Sequence, residues 1–254
     1  MDRRLLTPGM IAMHLVVVLA AVLFVRLGLW QLDRLEERRA ESALGEMRLQ
    51  AEPVPVDDLV QDGLDPGSLV YRRVTATGEY DSGNEVLIRS QTHLGAAGFH
   101  VITPLVTDGD LAIMVNRGWV PLDFDQAPVT RLPPPQGVVT VEGWLRASQT
   151  RPPLGREEPE GDLEILNRVD LGRIEEQVPY PLFGMYLVEI GERADPPIPV
   201  KPPDFSDEGP HLAYAIQWFG FAAIALVGYL ALLRRRSSRP QEGEFDMARP
   251  GTTS

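Results

Sequence analysis

Apolar positions fall into two regimes along this chain. Met10 to Val25 (MIAMHLVVVLAAVLFV) carries no formal charge, Arg26 interrupts, and Leu27-Gly28-Leu29-Trp30 resumes the apolar run. At about 1.5 Å per residue, a helix over 10–30 reaches roughly 30 Å, enough to cross a bilayer core. Arg26 falls near one end, where its stem lets the charge reach the interface, and Trp30 suits the aromatic belt there. A cleaved signal sequence would have a shorter apolar core, about 7–15 residues, and a small-residue cleavage site. Residues 26–34 offer no such site, so the pattern predicts an anchor. Residues 211–233 (HLAYAIQWFGFAAIALVGYLALL) are a second run without formal charge, followed at once by Arg234, Arg235 and Arg236. The competing explanation is a buried core helix; the arginine cluster favours a second span.

Between the runs the pattern changes. Residues 30–50 (WQLDRLEERRAESALGEMRLQ) are good helix formers with only a partial apolar stripe, so the first helix is expected to continue out of the bilayer. Pro and Asp in 51–67 end it. Short β signals follow at 72–77, 85–89, 98–106, 111–120, 138–145 and 186–191, with turn chemistry at 80–84 and a hairpin turn at Asp108-Gly109-Asp110. One short helix is predicted over 170–177, N-capped by Asp170. Loops at 131–136, 151–161 and 195–210 are rich in Pro or acidic residues, the last reading as a linker, and the tail from Ser237 reads as disordered. The fold class is therefore membrane-anchored and mostly β: two transmembrane helices flanking an antiparallel barrel or sandwich with one or two short helices. The expected division is 1–9, 10–30 as the first span, 31–210 as the β-rich domain, 211–233 as the second span, and a basic tail at 234–254.

Charge gives this arrangement an orientation. The 254 residues have a formal charge of −12. Residues 1–30 and 211–254 each carry a net of +2, whereas 31–210 hold 16 basic and 32 acidic groups. Arg3 and Arg4 before the first span and the arginines after the second put both termini in the cytoplasm and the middle outside. The acidic total argues against nucleic acid, and the lack of cysteine excludes disulfides, thiolate metal sites and a thiol nucleophile. The N-terminus lacks an Arg- and Ser-rich amphipathic presequence, so a bacterial cell membrane is expected.

Catalytic signatures are missing: there is no G-x-S-x-G, no H-E-x-x-H and no phosphate-binding Gly loop, so an enzyme is not expected. Glu157-Glu158 reads as a solvated face. His93 and His100, seven apart, would face opposite ways on one strand; they read as a metal pair or, preferably, as ordinary surface or turn histidines. Arg117 and Trp119 end an apolar strand. They could grip an acidic or planar partner, or serve as a structural arginine paired with an acid and a core tryptophan. His211 opens the second run, at the outer interface, and an ionisable group there is a functional candidate. Imidazole is a common axial ligand of haem iron; the alternative is an interfacial histidine in water. Tyr214 and Trp218 are placed with it, at i+3 and i+7. His14 lies about 24 Å below Trp30 along the first helix, so it cannot share an iron with His211 in one chain. Gln217 would seek a polar partner, and Ala222, Ala225, Gly228 and Ala231 form a small-residue row for helix contact.

Several segments resemble one family. Gly28-Leu29-Trp30-Gln31-Leu32-Asp33-Arg34 is similar to its G-x-W-Q-x-x-R segment, and Tyr71-Arg72-Arg73-Val74 with Gly78-Glu79-Tyr80 to its first strand. Residues 98–105 (GFHVITPL), 115–121 (VNRGWVP) and 211–219 (HLAYAIQWF) complete the series. In that order, with two apolar runs, the chain resembles the surfeit-locus cytochrome c oxidase assembly factors. It departs at Gly209-Pro210, where the family often has Asn before the His. The approach is stiffer there, and His211 is expected to lack a water or side-chain partner.

The resemblance implies an assembly factor that helps place haem a into the large subunit, cytochrome c oxidase subunit I, in the lipid bilayer and beside haem a synthase. It implies His211 as the haem-iron ligand; Tyr214 and Trp218 are expected to line the same helix face, and Trp30, Gln31, Arg34, Arg117 and Trp119 are the partner-binding candidates. Two other readings remain: a scaffold for oxidase subunits that never touches haem, and an unrelated two-span envelope sensor.

Overall fold

A computed structural model describes residues 7–62, 66–109, 111–149 and 161–237. Arg3, Arg4, Asp110, the 151–160 loop with Glu157 and Glu158, and the tail from residue 238 lie outside the described residues. Along the chain the elements are α1 (Pro8–Gln50), β1 (Val54–Pro55), α2 (Val56–Asp62), α3 (Pro66–Leu69), β2 (Arg73–Tyr80), β3 (Val86–His93), β4 (Ala96–Val106), β5 (Ala112–Pro121), β6 (Val138–Ala147), β7 (Ile165–Leu166), α4 (Leu171–Glu175), β8 (Met185–Glu189) and α5 (His211–Ser237). They fall into two compact units, Met1–Ala40 with Asp207–Ser254, and Glu41–Ser206. The division falls inside α1.

The second unit is a mostly-β sheet domain. Its strands pair in the order β1-β2-β6-β8-β5-β4-β3-β7, and the end of β2 also pairs with β4 through Glu79↔Val106 and Tyr80↔Leu105. The sheet is mixed, not purely antiparallel: β1–β2, β3–β7 and β5–β8 are parallel. Parallel neighbours need long connections. The chain between β5 and β8 supplies one, running through β6, β7 and α4.

Both faces of the central strands are covered, which is why β5 opens as an unbroken apolar run, Ala112 to Val115. One face carries Ile113, Val115, Leu105, Leu145, Met185 and Leu187, closed by Val56, Leu59 and Leu69 from α2 and α3. The opposite face carries Met114, Ile102, Trp144, Tyr186 and Val188 under Leu166, Leu171 and Ile174. A third cluster gathers Leu87, Phe99, Val101 and Val120 under Ala127 and Val129. Asp170 caps α4 as expected, its side chain accepting from the Arg173 N–H. The 82–84 turn is a short 3-10 segment in which the Asp81 carboxylate accepts from Gly83 N–H.

The short elements β1, α2, α3 and β7 are absent from the sequence expectation. They hold two to seven residues, too few for a period to emerge between prolines and acids. The 195–210 linker is also more than a spacer. Ile198 exchanges both backbone hydrogen bonds with Trp119, at 2.7 and 2.8 Å, and Phe205 meets Tyr71 edge-on at 5.2 Å.

In the first unit, α1 and α5 are long and apolar enough to cross a membrane. Most of their apolar surface is exposed, unlike a soluble protein's core helix. Each presents a heptad-spaced seam of more protected residues: His14, Val17, Ala21, Phe24, Gly28, Gln31 and Leu35 on α1, and His211, Ala215, Trp218, Ala222, Ala225 and Tyr229 on α5. That spacing is the one that keeps two helices in register at a shallow crossing.

Gly78 marks the place where β2 leaves β6 for β4. A Cβ there would lie on the Val106 carbonyl, 2.7 Å from its carbon, and backbone cannot give way. Gly78→Val is expected to destabilise the β unit by about 1–3 kcal/mol, the usual cost of overpacking, read as a lower Tm or denaturation midpoint of the detergent-purified protein. An unchanged midpoint would contradict the close crossing.

Candidate functional site

The helix pair contains the sharpest chemistry. Gly28 lets the helices approach: a Cβ there would sit 2.6 Å from Phe219 Cε1. Three residues on, Gln31 is 9% exposed, and its Oε1 lies 2.9 Å from His211 Nδ1. The contact joins the imidazole to a side-chain amide of the facing helix and engages Nδ1, not Nε2. The expected lack of a partner for His211 is corrected: the partner comes from α1, not from the loop before α5. That loop is still shaped, because Gly209 has φ +71° and its N–H donates to Asp207 Oδ1 at 2.8 Å. Arg39 grips Glu208 with two hydrogen bonds, 2.8 and 2.7 Å. Those bonds hold the exposed Glu208 carboxyl below the usual carboxylate range and push the arginine up.

Below this layer Phe24 stacks on Trp218 with centroids 5.8 Å apart and planes 24° apart, and Phe221 packs on both rings at 5.8 Å. Trp218 thus shares His211's seam. Tyr214 does not: it is exposed and off the heptad positions, because 214 is 60° round the helix from 211 whereas 218 is only 20° away. The row at 222, 225, 228 and 231 also turns away, since a period of three drifts 60° per step; Ala222 is buried but Gly228 and Ala231 are exposed. Gln217 lies on the exposed side. Trp30 (53% exposed) and Arg34 point outward from α1, and Arg34 pairs with Glu37 at 2.5 Å. His14 meets Tyr229 edge-on at 5.4 Å. Tyr229 is 18 residues beyond His211, about 27 Å of helix, so His14 and His211 sit at opposite ends of the pair.

The VNRGWVP strand carries a different kind of centre. Val101 faces Gly118 but Ile102 faces Asn116, so Arg117 is an extra residue in β5, a β-bulge. Arg117 reaches inward. Its Nη1 donates to Glu85 Oε2 at 2.9 Å and its Nη2 to the Leu132 carbonyl at 2.8 Å. Glu85 also accepts from Thr103 Oγ1 at 2.6 Å and from the Val129 N–H at 2.7 Å. Both charged side chains are nearly inaccessible, 6% and 1% exposed. The structure places Arg117 as a structural arginine paired with an acid, its guanidinium bonded inside the protein. Trp119 is likewise a core residue, 7% exposed, with its ring across Gly98.

Asn116 spans the bulge, accepting from Gly118 N–H at 3.0 Å while its amide nitrogen meets His100 Nδ1 at 3.2 Å. Burial, helped by the Arg146 charge, pushes His100 down to about 4. His93 and His100 are on separate strands of a hairpin turned at Leu94-Gly95, and His93 lies against Trp119 at 5.4 Å. Among the described residues no cluster of three or more His, Asp or Glu is arranged to hold a metal.

A mostly-β unit between two long apolar helices, with an oriented imidazole at the start of the second helix, defines a class of two-helix protein with an intervening β domain. Residues 18–223 match the SURF1 family. The chain is 32% identical over 248 residues to an uncharacterized SURF1-like protein of Mycobacterium tuberculosis, covering 94% of this chain and 89% of that one. It is 27% identical over 238 residues to a SURF1-like protein of Rickettsia bellii (90% and 93% covered), and 35% identical over 156 residues to surfeit locus protein 1 of Takifugu rubripes (54% and 62% covered). The chain therefore belongs to the SURF1 family, known generally as oxidase assembly factors.

Two outcomes test the β-unit centre. Arg117→Met strands a buried carboxylate and is expected to cost about 3–5 kcal/mol in urea or thermal unfolding, whereas Glu85→Gln with Arg117→Met should recover much of the loss. His100 is neutral when folded and takes its proton readily only when unfolded. Its contribution is thus full above about pH 6.5 and is lost as pH falls towards 4, a span worth roughly 2–3 kcal/mol. Unfolding midpoints measured from pH 7 to 4 should fall less steeply in His100→Gln than in the parent.

Proposed function

We propose that this chain is a membrane assembly factor for haem-copper oxidase that assists haem a insertion into subunit I. In this reading α1 and α5 span a bacterial cell membrane, both termini are cytoplasmic, and the β unit, its strand ring curled into a barrel, lies outside. The observation that carries it is the His211–Gln31 pair: an imidazole at the start of an apolar helix, with Nδ1 held by a side-chain amide and Nε2 outside that contact. That donor set fits haem iron, which accepts neutral imidazole. The Phe24, Trp218 and Phe221 rings supply apolar surface next to it. One axial histidine also fits a transient holder, since a second protein ligand would slow release.

What the residues do follows from their positions. Gln31 and the Arg39–Glu208 bonds hold the start of α5, so His211 is presented in one orientation. Trp30 and Arg34, outward on α1, suit contact with the oxidase subunit or with haem a synthase. Their exposure equally supports the scaffold reading, in which the chain grips subunits and never touches haem.

The protein purified from cells making haem a is expected to carry a haem absorbance that is lost in His211→Ala, with less assembled oxidase in the same cells. An unchanged spectrum removes His211 from the role; full oxidase assembly by the variant favours the scaffold. Reporter fusions at residue 120 should read as extracytoplasmic.

A further inference from the structure

Packing between apolar helices does not by itself call for an amide at position 31. A buried, unbonded amide in apolar surroundings is costly, and leucine would fill a seam position without that cost. Gln31 is nonetheless nine-tenths buried, and its Oε1 is placed on His211 Nδ1. An amide oxygen only accepts, so this contact decides which ring nitrogen carries the proton. Histidine free in water keeps its neutral-ring proton mainly on Nε2; here the bond favours Nδ1–H. The geometry is built, not incidental. Gly28, one turn earlier, brings the helices close enough for the bond, and Arg39 holds Glu208 three residues before His211.

We propose that Gln31 is a positioning residue that sets the tautomer of His211, so that Nε2 is the ring atom offered to a ligand. Histidines that hold metals commonly donate their other N–H to an oxygen acceptor, which fixes the ring and raises its basicity. The identity of the ligand as haem rests on the reading above; the tautomer does not.

The test uses the full-length protein with 15N-labelled histidine in lipid nanodiscs, without haem, the His211 signals being assigned by their loss in His211→Ala. The parent is expected to show a protonated Nδ1 and a bare Nε2. Gln31→Leu should move the proton mainly to Nε2, while Gln31→Glu, still an acceptor, should keep it on Nδ1. Haem titration of the same samples should show about 10–100-fold weaker binding for Gln31→Leu, and for Gln31→Glu retained binding with a lower reduction potential. Disulfide cross-linking between Phe24→Cys and Trp218→Cys, in a chain that has no other cysteine, reports whether the helices remain paired in each variant. A Gln31→Leu protein with paired helices and an unchanged Nδ1–H overturns the proposal. Haem binding that survives His211→Ala, alongside a shifted tautomer in Gln31→Leu, removes the haem reading and leaves the tautomer control standing.

Discussion

Glu85 and Arg117 are oppositely charged side chains sealed inside the β unit, and much of that unit is arranged around satisfying them. Two buried charges are tolerable only when their hydrogen-bonding capacity is met. Thr103 on β4 meets part of it, the Val129 N–H another part, and the Leu132 carbonyl takes the outer guanidinium nitrogen. Those bonds fasten the 127–132 segment over the third hydrophobic cluster. They also explain why β5 carries an extra residue: without the bulge, Arg117 would follow the regular alternation and Asn116 could not bridge to Gly118. Glycines at 98 and 118 complete the arrangement, the first beneath the Trp119 ring and the second, at φ +127°, where Ile198 passes close by.

The helical unit solves a different problem with the same logic. In the proposed membrane setting two apolar helices gain little from hydrophobic burial, so shape and the few polar groups decide how they pair. Gly28 permits close approach, the Phe24–Trp218–Phe221 rings fill the next layer, and Gln31 with His211 provides the polar contact. The motif segments leaving the first run and entering the second are thereby one site, contributed from both helices.

Much of the architecture was legible from pattern alone. Uncharged runs, their lengths and the flanking arginines marked both long helices, and β-branched runs between turn residues marked the six longer strands within two to four residues at either end. Asp170 could be read as a cap because capping chemistry is local. Elements of two to seven residues were not legible, and neither was the parallel pairing of β5 with β8, since strand direction depends on where a long connection returns. The heptad seams of both helices were present in the residues but obscured, because every position in an apolar span looks alike to a hydropathy count.

The candidate site divides in the same way. His211 could be singled out from sequence because an ionisable group beside an uncharged run is conspicuous by itself. Arg117 was equally conspicuous, yet whether it faces a partner or an internal carboxylate depends on Glu85, 32 residues away, and on a register shift that no local pattern encodes. Gln31 reads from sequence as a partner-binding candidate in the motif leaving the first apolar run; only the crossing of α1 with α5 brings it to an imidazole 180 positions later. Local chemistry and periodicity are written residue by residue, and so the sequence itself determined the long helices, most strands and the candidate imidazole. Partnership between distant side chains is a property of packing, and the tertiary structure alone decided that Arg117 is bonded inside to Glu85 and that Gln31 meets His211.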